Sequence, residues 1–246
     1  NANVDVSEFA VGTWGIGELE RFGYVRDESG KVTTKGIQTA RNNAIEAIQA
    51  ALDGGANLID TAPCYGNGAS EKIVGEAIRD FDRSKILIST KCGLVPSAGR
   101  GAAFTGRDAS YKNIMREVRS SLTLLGTDYI DFYFIHWPDL NTDIAETMSA
   151  LNVLKKRGLI RYIGLSNHDE KMIEAAQEWG QIDVIQPPFS MVSREATGLM
   201  KWCYERGIDS LTYGSLGSGL LTGAIREKPN FQDGDIRKGF YGKLYQ

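Results

Sequence analysis

Short apolar, β-branched runs alternate along the chain with longer segments whose apolar residues recur at helical spacing. Seven runs are predicted to be strands, at residues 8–14, 56–62, 85–91, 129–136, 160–167, 184–190 and 208–214. Most are almost continuously hydrophobic, which is typical of parallel strands buried on both faces. Between them, residues such as Ile45, Ile48 and Leu52 would share one face of a helix. Ser70, followed by Glu71, is predicted to cap another helix.

Repeated strand-then-helix units imply right-handed crossovers and a parallel sheet. No Gly-x-Gly-x-x-Gly motif follows the first strand, so a (β/α) barrel is favoured over a doubly wound dinucleotide-binding fold. We therefore predict an α/β protein with a (β/α)8 TIM barrel as a single domain over residues 1–246. Seven strands are one short of eight, so either the barrel closes differently or the last βα unit is missing. We expect the second, with truncation at both ends.

Composition narrows the functional classes. The net charge is −3 and like charges form no block, so neither nucleic acid nor an anionic membrane is an expected partner. No apolar run of about 18 residues and no signal-peptide pattern occurs. The cysteines, Cys64, Cys92 and Cys203, lack metal-ligand spacing and fit a reducing compartment. We expect a cytoplasmic protein without a metal site, acting on a small molecule, and composition leaves an oligomer open.

Three chemically active side chains fall at consecutive predicted strand ends. Asp60 ends the second strand, Lys91 the third and His136 the fourth. In a barrel the C-terminal strand ends form the active-site face, and neighbouring strands lie about 4.8 Å apart, so these side chains can converge. Tyr65 lies five residues after Asp60 in a loop rich in turn formers, and it can fold back over the same rim.

These four residue types can move a proton onto a carbonyl oxygen. The Asp60 carboxylate would keep Lys91 charged, and that charge is expected to lower the pKa of Tyr65 from its usual value of about 10. Tyr65 could then donate a proton near neutral pH while His136 orients the substrate oxygen. A cofactor must supply hydride, because no side chain carries one.

Taken singly, these residues have simpler explanations. Asp60 with Lys91 would more often be a structural ion pair. A single histidine at a strand end is as often structural as functional. A lysine at a barrel strand end also suggests a Schiff-base aldolase, which needs a neutral lysine. Neighbouring Asp60 argues against that chemistry, and the combination of four residues favours a reductase.

Several motifs resemble the aldo-keto reductase superfamily, in its bacterial and potassium-channel β-subunit-like branches. Residues 55–71 read GANLIDTAPCYGNGASE and resemble the signature around the catalytic Asp and Tyr of the family. The family lysine is matched by Lys91, and LGTDYID at 125–131 followed by IHW at 135–137 matches its histidine segment. GLSN at 164–167, QPP at 186–188 and LLTG at 220–223 match later landmarks, in order.

The resemblance implies NAD(P)H-dependent reduction of an aldehyde or ketone to an alcohol. Tyr65 would be the general acid, Asp60 and Lys91 would tune it, and His136 would orient the carbonyl group. NADP(H) is expected rather than NAD(H), although the family region that grips the adenosine 2′-phosphate lies beyond the seventh strand. The implied cofactor contacts are Gly12, Thr13, Trp14, Asp60, Ser166, Asn167, Gln186, Tyr213, Gly214, Ser215, Leu216, Gly219 and Leu221.

Within that set, Ser166, Asn167 and Gln186 would hold the carboxamide, and Tyr213 would stack on the nicotinamide ring or else be a core aromatic. The glycine-rich loop after the seventh strand would wrap the pyrophosphate with its backbone amides.

Substrate contacts are expected at Trp14 and Trp137, which could equally be packing residues. Arg100 and Arg107 could meet an anionic substrate or the cofactor phosphates, or simply belong to a solvated loop. Two rival functions remain at this point. One is a non-catalytic, cofactor-binding regulatory subunit, and the other is a truncated, inactive reductase.

Overall fold

The computed structural model describes residues 4–19, 30–96 and 105–227. Its strands are β1 (Ala10–Gly12), β2 (Leu58–Asp60), β3 (Leu87–Cys92), β4 (Leu94–Val95), β5 (Gly106–Arg107), β6 (Ile130–Ile135), β7 (Ile160–Ser166), β8 (Val184–Gln186) and β9 (Asp209–Ser210). Seven of them form one parallel sheet, in the order β1-β2-β3-β6-β7-β8-β9. Strands β4 and β5 pair separately as an antiparallel hairpin.

A helix lies between each two consecutive strands of the sheet. The helices are α1 (Trp14–Gly17), α2 (Thr34–Asp53), α3 (Ala69–Ala77), α4 (Tyr111–Leu125), α5 (Ile144–Lys156), α6 (Glu170–Gln177) and α7 (Thr197–Tyr204), with short 3-10 helices at Arg83–Lys85 and Gly217–Thr222. This alternation confirms the predicted α/β class and is the arrangement of a (β/α)8 TIM-barrel-like fold. Within the described residues, β1 and β9 are the edges of the sheet.

All seven predicted strands are present, and the predicted C-terminal ends of β3, β6 and β7 are right to within one residue, whereas β1, β2, β8 and β9 end two to four residues earlier than predicted. Strands β3 and β6 are buried along their whole length, as their continuous hydrophobicity predicts. Helix α2 buries Ile48 completely and packs Ile45 and Leu52 against the same core, so the predicted helical face is confirmed. No helix in the described part of the chain is both long and apolar enough to span a bilayer.

The two faces of the sheet belong to different apolar clusters. One face packs under the helices, and the other carries a separate apolar cluster of Leu58, Leu87, Phe132, Phe134 and Val184, called the inner cluster here. Side chains alternate along a strand, so residues two apart share a face. In steps of two residues, Leu58 leads to Asp60, Leu87 to Lys91 and Val184 to Gln186, and Tyr162, which packs against the cluster, leads to Ser166. The polar side chains therefore continue the inner face beyond its apolar packing.

Ser70 does not cap helix α3, so that prediction is wrong. The helix begins at Ala69, and Gly68 is its N-cap residue with a φ of 86°, a left-handed conformation that favours glycine. Ser70 instead lies inside the first turn, fully buried. Its Oγ lies 2.7 Å from Oγ1 of Thr13 and 2.8 Å from Oγ1 of Thr61. Ser70 therefore joins the ends of β1 and β2 to helix α3.

Gly75 allows helices α3 and α4 to approach closely. A Cβ atom at this position would lie 2.5 Å from the carbonyl oxygen of Leu124 and 2.8 Å from the carbonyl carbon of Leu125. Both atoms belong to the backbone, so no side-chain rotation can relieve the contact. A larger residue would have to separate the two helices that cover β3 and β6.

We expect Gly75→Ala to destabilise the protein by about 1–3 kcal/mol through overpacking. Gly198→Ala is the matched control, because a Cβ there meets nothing within 4 Å. In helix α7 this control should be neutral or stabilising by up to about 1 kcal/mol, the difference in helix propensity. Urea denaturation measures both variants. Equal effects of the two substitutions would contradict the close approach.

Candidate active site

A buried ion pair lies at the centre of the site. Lys91 is 1% exposed, and its Nζ donates to Oδ1 and Oδ2 of Asp60 at 2.9 and 2.8 Å and to the Thr61 carbonyl at 2.9 Å. Burial alone would lower the pKa of Lys91, but the Asp60 carboxylate together with the neighbouring Tyr65 and Cys64 outweighs it, and the net pKa is raised. Lys91 is therefore a cation at neutral pH. A Schiff-base lysine must be neutral, so this geometry disfavours the aldolase alternative.

The Asp60 carboxylate accepts hydrogen bonds from side chains of two strands, β3 and β8. Its Oδ1 accepts from Lys91, from Oγ of Ser89 at 2.7 Å and from Nε2 of Gln186 at 2.9 Å. Ser89 is absent from the sequence-based list of site residues. Its position two residues before Lys91 in one strand, which puts both side chains on one face, is the signal that could have found it.

Tyr65 lies against the ion pair. Its hydroxyl oxygen accepts from Nζ of Lys91 at 3.4 Å, and Nζ lies 5.1 Å from the centre of the tyrosine ring. Because the oxygen accepts from Lys91, the phenolic proton is left for another acceptor. Burial raises the pKa of Tyr65 above its usual value of about 10, although Lys91 acts in the opposite direction. The expected lowering of this pKa is therefore wrong, and Tyr65 keeps its proton at neutral pH.

The loop that carries Tyr65 is held by close backbone packing. The backbone N–H of Tyr65 donates to the Ala62 carbonyl, and the Tyr65 carbonyl accepts from the N–H of Ser70 at 3.2 Å. Gly17 of helix α1 lies so near that an added Cβ would be 2.6 Å from the Tyr65 carbonyl group. These contacts hold the loop that follows β2 in place between helices α1 and α3, with the Tyr65 side chain directed towards the sheet.

His136 follows β6 and faces Tyr65 edge-on, with ring centres 6.0 Å apart and an interplanar angle of 82°. Its backbone N–H donates to the Cys92 carbonyl at 2.9 Å, which extends the pairing of β3 and β6. Burial, assisted by the charges of Lys91 and Arg107, holds the pKa of His136 well below its usual value. The imidazole is neutral, so it can orient an oxygen atom without adding a charge.

Cys64 is a site neighbour that the sequence did not reveal. Its Sγ lies 3.6 Å from Nδ1 of His136, and burial raises the pKa of its thiol to about 12. Both partners are neutral at physiological pH. The contact occupies Nδ1 and leaves Nε2 as the ring atom available to a ligand.

A network of hydrogen-bonded polar residues extends from Asp60 towards the ends of β7 and β8. Oγ of Ser166 donates to the Gln186 carbonyl at 2.9 Å, and Nδ2 of Asn167 donates to that Oγ and to the His136 carbonyl, both at 3.0 Å. The hydroxyl of Tyr213 donates to Oδ1 of Asn167 at 2.9 Å. Asn167 has a φ of 61°, a conformation that non-glycine residues adopt rarely. The residues expected to hold the nicotinamide are thus one connected network with the ion pair.

The loop after β9 contains glycines in left-handed backbone conformations, which favour glycine over other residues. Gly214 and Gly219 have φ angles of 73° and 99°, and the loop is closed by the N–H of Leu221 donating to the Leu216 carbonyl at 3.1 Å. Tyr213, just before the loop, is 38% exposed. An accessible aromatic face beside a glycine-rich loop fits a nicotinamide ring with its pyrophosphate. Ser215 lies in the same exposed loop.

The residues at the end of β1 differ in exposure: some face the cleft and one supports the site from inside the protein. Gly12 is exposed and Trp14, at the start of helix α1, is half-buried. Thr13 is fully buried, and its Oγ1 donates to the Asp60 carbonyl at 2.9 Å while accepting from Ser70. Its hydroxyl is therefore engaged inside the protein and supports Asp60.

Trp137 directly follows His136 and is 38% exposed. The guanidinium carbon of Arg107 lies 5.4 Å above the centre of its ring. The two side chains form one wall beside His136. Arg100, the other arginine named from the sequence, lies outside the described residues.

Comparison with known proteins decides the family. Residues 11–242 match the model of the Aldo/keto reductase family. The chain belongs to this family. It is 36% identical over 239 residues to aldo-keto reductase YhdN of Bacillus subtilis (strain 168), covering 96% of this chain and 66% of the relative. It is 38% identical over 234 residues to the NADH-specific methylglyoxal reductase of Escherichia coli (strain K12), covering 91% and 68%.

Solved structures give the same result. Glycerol dehydrogenase AKR11B4 from Gluconobacter oxydans superposes with a TM-score of 0.81 at 33% identity, covering 97% of this chain and 68% of that one. An aldo/keto reductase from Klebsiella pneumoniae in complex with NADP and acetate has a TM-score of 0.68 at 26% identity, covering 97% and 73%. The predicted (β/α)8 fold class and the predicted family are confirmed. The chain spans about two thirds of the length of these proteins.

The potassium-channel-like branch is also represented. The chain is 35% identical over 206 residues to a probable voltage-gated potassium channel subunit beta of Arabidopsis thaliana, covering 79% of this chain and 61% of the relative. Proteins named as reductases and a probable channel subunit therefore both resemble this chain.

Glu117 of helix α4 holds the backbone that follows β3, next to the site. Its Oε2 accepts from the backbone N–H of Gly93 at 2.7 Å and from Nδ2 of Asn113 at 2.9 Å. Gly93 follows β3 and has a φ of 83°, so the carboxylate holds a tight turn two residues after Lys91. Burial raises the pKa of Glu117 from 4.5 to about 7.

A raised carboxyl pKa means that the folded state binds more protons than the unfolded state between the two pKa values. We therefore expect Glu117 to contribute a loss of stability as pH rises from 4.5 to about 7. Glu117→Gln should reduce this loss and raise stability above pH 7, relative to the wild type. Urea denaturation at about pH 5 and about pH 8 measures it.

Glu46→Gln, at an exposed position of helix α2, controls for the loss of a negative charge. An identical pH dependence in wild type and Glu117→Gln would show that Glu117 ionises normally, which contradicts the expected effect.

Proposed function

We propose that the protein catalyses the NAD(P)H-dependent, reversible reduction of an aldehyde or ketone to an alcohol, with Tyr65 as the general acid. The observation that carries the proposal is the position of the Tyr65 hydroxyl, which accepts from Nζ of Lys91 at 3.4 Å while retaining its own proton. Membership of the aldo/keto reductase family supports the reaction type.

Each residue has a distinct part in the proton transfer. Tyr65 donates its proton to the carbonyl oxygen, and the Lys91 ammonium stabilises the phenolate as it forms, because the two groups are already in contact. Asp60 fixes the ammonium by two hydrogen bonds. Neutral His136 orients the carbonyl oxygen. When bound, the nicotinamide cofactor supplies hydride to the carbonyl carbon.

The cofactor would lie across the ends of β7, β8 and β9. Its carboxamide would meet Ser166, Asn167 and Gln186, its ring would stack on Tyr213, and its pyrophosphate would meet the glycine-rich loop at Gly214, Ser215, Leu216, Gly219 and Leu221. Gly12, Thr13 and Trp14 would border it from β1, with Thr13 acting through Asp60. NADP(H) is our choice, supported by the Klebsiella pneumoniae complex, while the NADH-specific Escherichia coli relative makes NADH the necessary comparison.

The substrate is a small carbonyl compound held between Trp14 and Trp137. Trp14 lies two residues after Gly12, which pairs with Asp60, and Trp137 directly follows His136. The relatives named for methylglyoxal and glycerol act on small, oxygen-rich molecules, which supports a small carbonyl substrate.

The similarity to a channel β-subunit favours one second candidate, a regulatory subunit that binds the cofactor without turning over substrate. The complete set of Asp60, Tyr65, Lys91 and His136 favours the enzyme. Cofactor binding without turnover would point to the regulatory subunit, whereas failure to bind cofactor would point to an inactive reductase.

Tyr65→Phe should lower carbonyl reduction by at least about 100-fold, because general acid catalysis contributes about 100- to 10,000-fold. Its affinity for NADPH should be nearly unchanged, because the hydroxyl is not among the expected cofactor contacts. Turnover is measured with NADPH and an aldehyde, and affinity by quenching of tryptophan fluorescence with NADPH and then NADH.

Tyr213→Phe is a useful comparison, since it also removes one phenolic hydroxyl but keeps the aromatic ring. It should weaken cofactor binding more than it affects proton transfer, because it breaks the bond to Asn167. Near-normal turnover in Tyr65→Phe would refute the proposed mechanism.

A further inference from the structure

The hairpin of β4 and β5 places a cation beside the catalytic group. Arg107 pairs with Leu94, three residues beyond Lys91 in the chain, and its guanidinium carbon lies 5.4 Å from the ring centre of Trp137, the residue after His136. Arg107 is thus positioned by contacts with the segments that follow two neighbouring strands, β3 and β6.

The hairpin is firmly anchored on the rim. The N–H of Asp108 donates to the Gly93 carbonyl at 3.1 Å, and Gly93 is itself held by Glu117. The N–H of Ala109 donates to Oδ2 of Asp139, in the loop after β6, at 2.9 Å. Arg107 is therefore flanked by fixed backbone on the side that leads back to the sheet.

The charge of Arg107 is not neutralised within the described part of the chain. No Asp or Glu there lies within 4.0 Å of its guanidinium, and its hydrogen bonds there run from Nη1 to the backbone carbonyls of Thr105 and Gly106 at 2.9 and 3.3 Å. Asp108 and Asp139, the nearest acids in sequence and in the anchoring loop, accept hydrogen bonds from other groups. With respect to the described residues, guanidinium donors thus remain for a ligand.

The field of this cation reaches the catalytic group, because Arg107 contributes to the low pKa of His136. The position of its hairpin beside β3 and β6 separates Arg107 from the expected cofactor loop. Arg107 adjoins β3 and β6, whereas the glycine-rich loop follows β9, with β7 and β8 between. An anion at Arg107 would therefore accompany the carbonyl group and would not be a phosphate of the cofactor.

We propose that Arg107 is a specificity-determining residue that binds a carboxylate or other anionic group on the carbonyl substrate, an inference that rests on the proposed function. A guanidinium can form two parallel hydrogen bonds to a carboxylate, and the cation–π contact with Trp137 keeps the guanidinium near His136. The favoured substrates are aldehydes or ketones with an acidic group on the side of the molecule away from the cofactor.

A matched pair of substrates tests this assignment. 4-Carboxybenzaldehyde and its methyl ester share the same reactive aldehyde and differ in charge. Wild type should show the higher kcat/KM for the acid. Arg107→Gln should lower kcat/KM for the acid by about 10- to 100-fold and for the ester by less than about twofold, because a charge-assisted hydrogen bond is lost only with the acid. Arg107→Lys should fall between, since it keeps charge but loses the planar fork.

Arg119→Gln is the control for net charge, because Arg119 is an exposed residue of helix α4. It should leave both substrates unaffected. A wild type that prefers the ester, or an equal loss for acid and ester in Arg107→Gln, would overturn the assignment, since a loss of Trp137 packing alone would affect both substrates.

An unreactive analogue separates the inference from the proposed function. 4-Carboxybenzamide keeps the carboxylate and replaces the aldehyde with an amide, and its binding is measured by titration calorimetry. Binding that Arg107→Gln abolishes, together with no turnover of either aldehyde, would uphold the anion site and refute the reductase. Turnover of both aldehydes without a charge preference, and no binding of the analogue, would uphold the reductase and refute the anion site.

Discussion

The site depends on one buried ion pair, Lys91 with Asp60. An ammonium that is 1% exposed has lost almost all its water, so it needs a carboxylate with good geometry and further acceptors. The structure provides both oxygens of Asp60 and the Thr61 carbonyl. Removing one partner of such a pair typically costs about 3–5 kcal/mol, because the other charge is left uncompensated. The pair therefore constrains the fold as well as the chemistry.

The remaining site residues are organised around this pair. Oδ1 of Asp60 also accepts from Gln186, and Gln186 leads through Ser166 and Asn167 to Tyr213. One carboxylate thereby connects the proton-donating half of the site with the half expected to hold the nicotinamide. Burial then assigns protonation states. It keeps the proton on Tyr65 and keeps His136 neutral, while Lys91 remains charged because a carboxylate lies beside it.

The sequence predicted the parts of the molecule that follow from periodicity. Continuous apolar runs located the parallel strands, and strand ends located Asp60, Lys91 and His136. Long-range packing was not predictable in this way. Ser70 resembles a helix cap locally, but the left-handed Gly68 takes that position and frees Ser70 to join two strands. The pKa of Tyr65 depends on a balance between burial and charge, and a list of neighbours in sequence gives no measure of burial. The contact between Cys64 and His136 joins residues 72 positions apart, without a sequence signal.

The central claim is that Tyr65 is a protonated acid beside a charged lysine, with burial outweighing that charge. Its most direct test is an NMR titration of protein labelled at the ζ carbon of tyrosine, with the Tyr65 signal assigned by its absence from Tyr65→Phe. We predict a phenol signal that persists through neutral pH and to pH values above 10. A phenolate that forms with a midpoint near neutral pH would contradict it, because Lys91 would then dominate over burial.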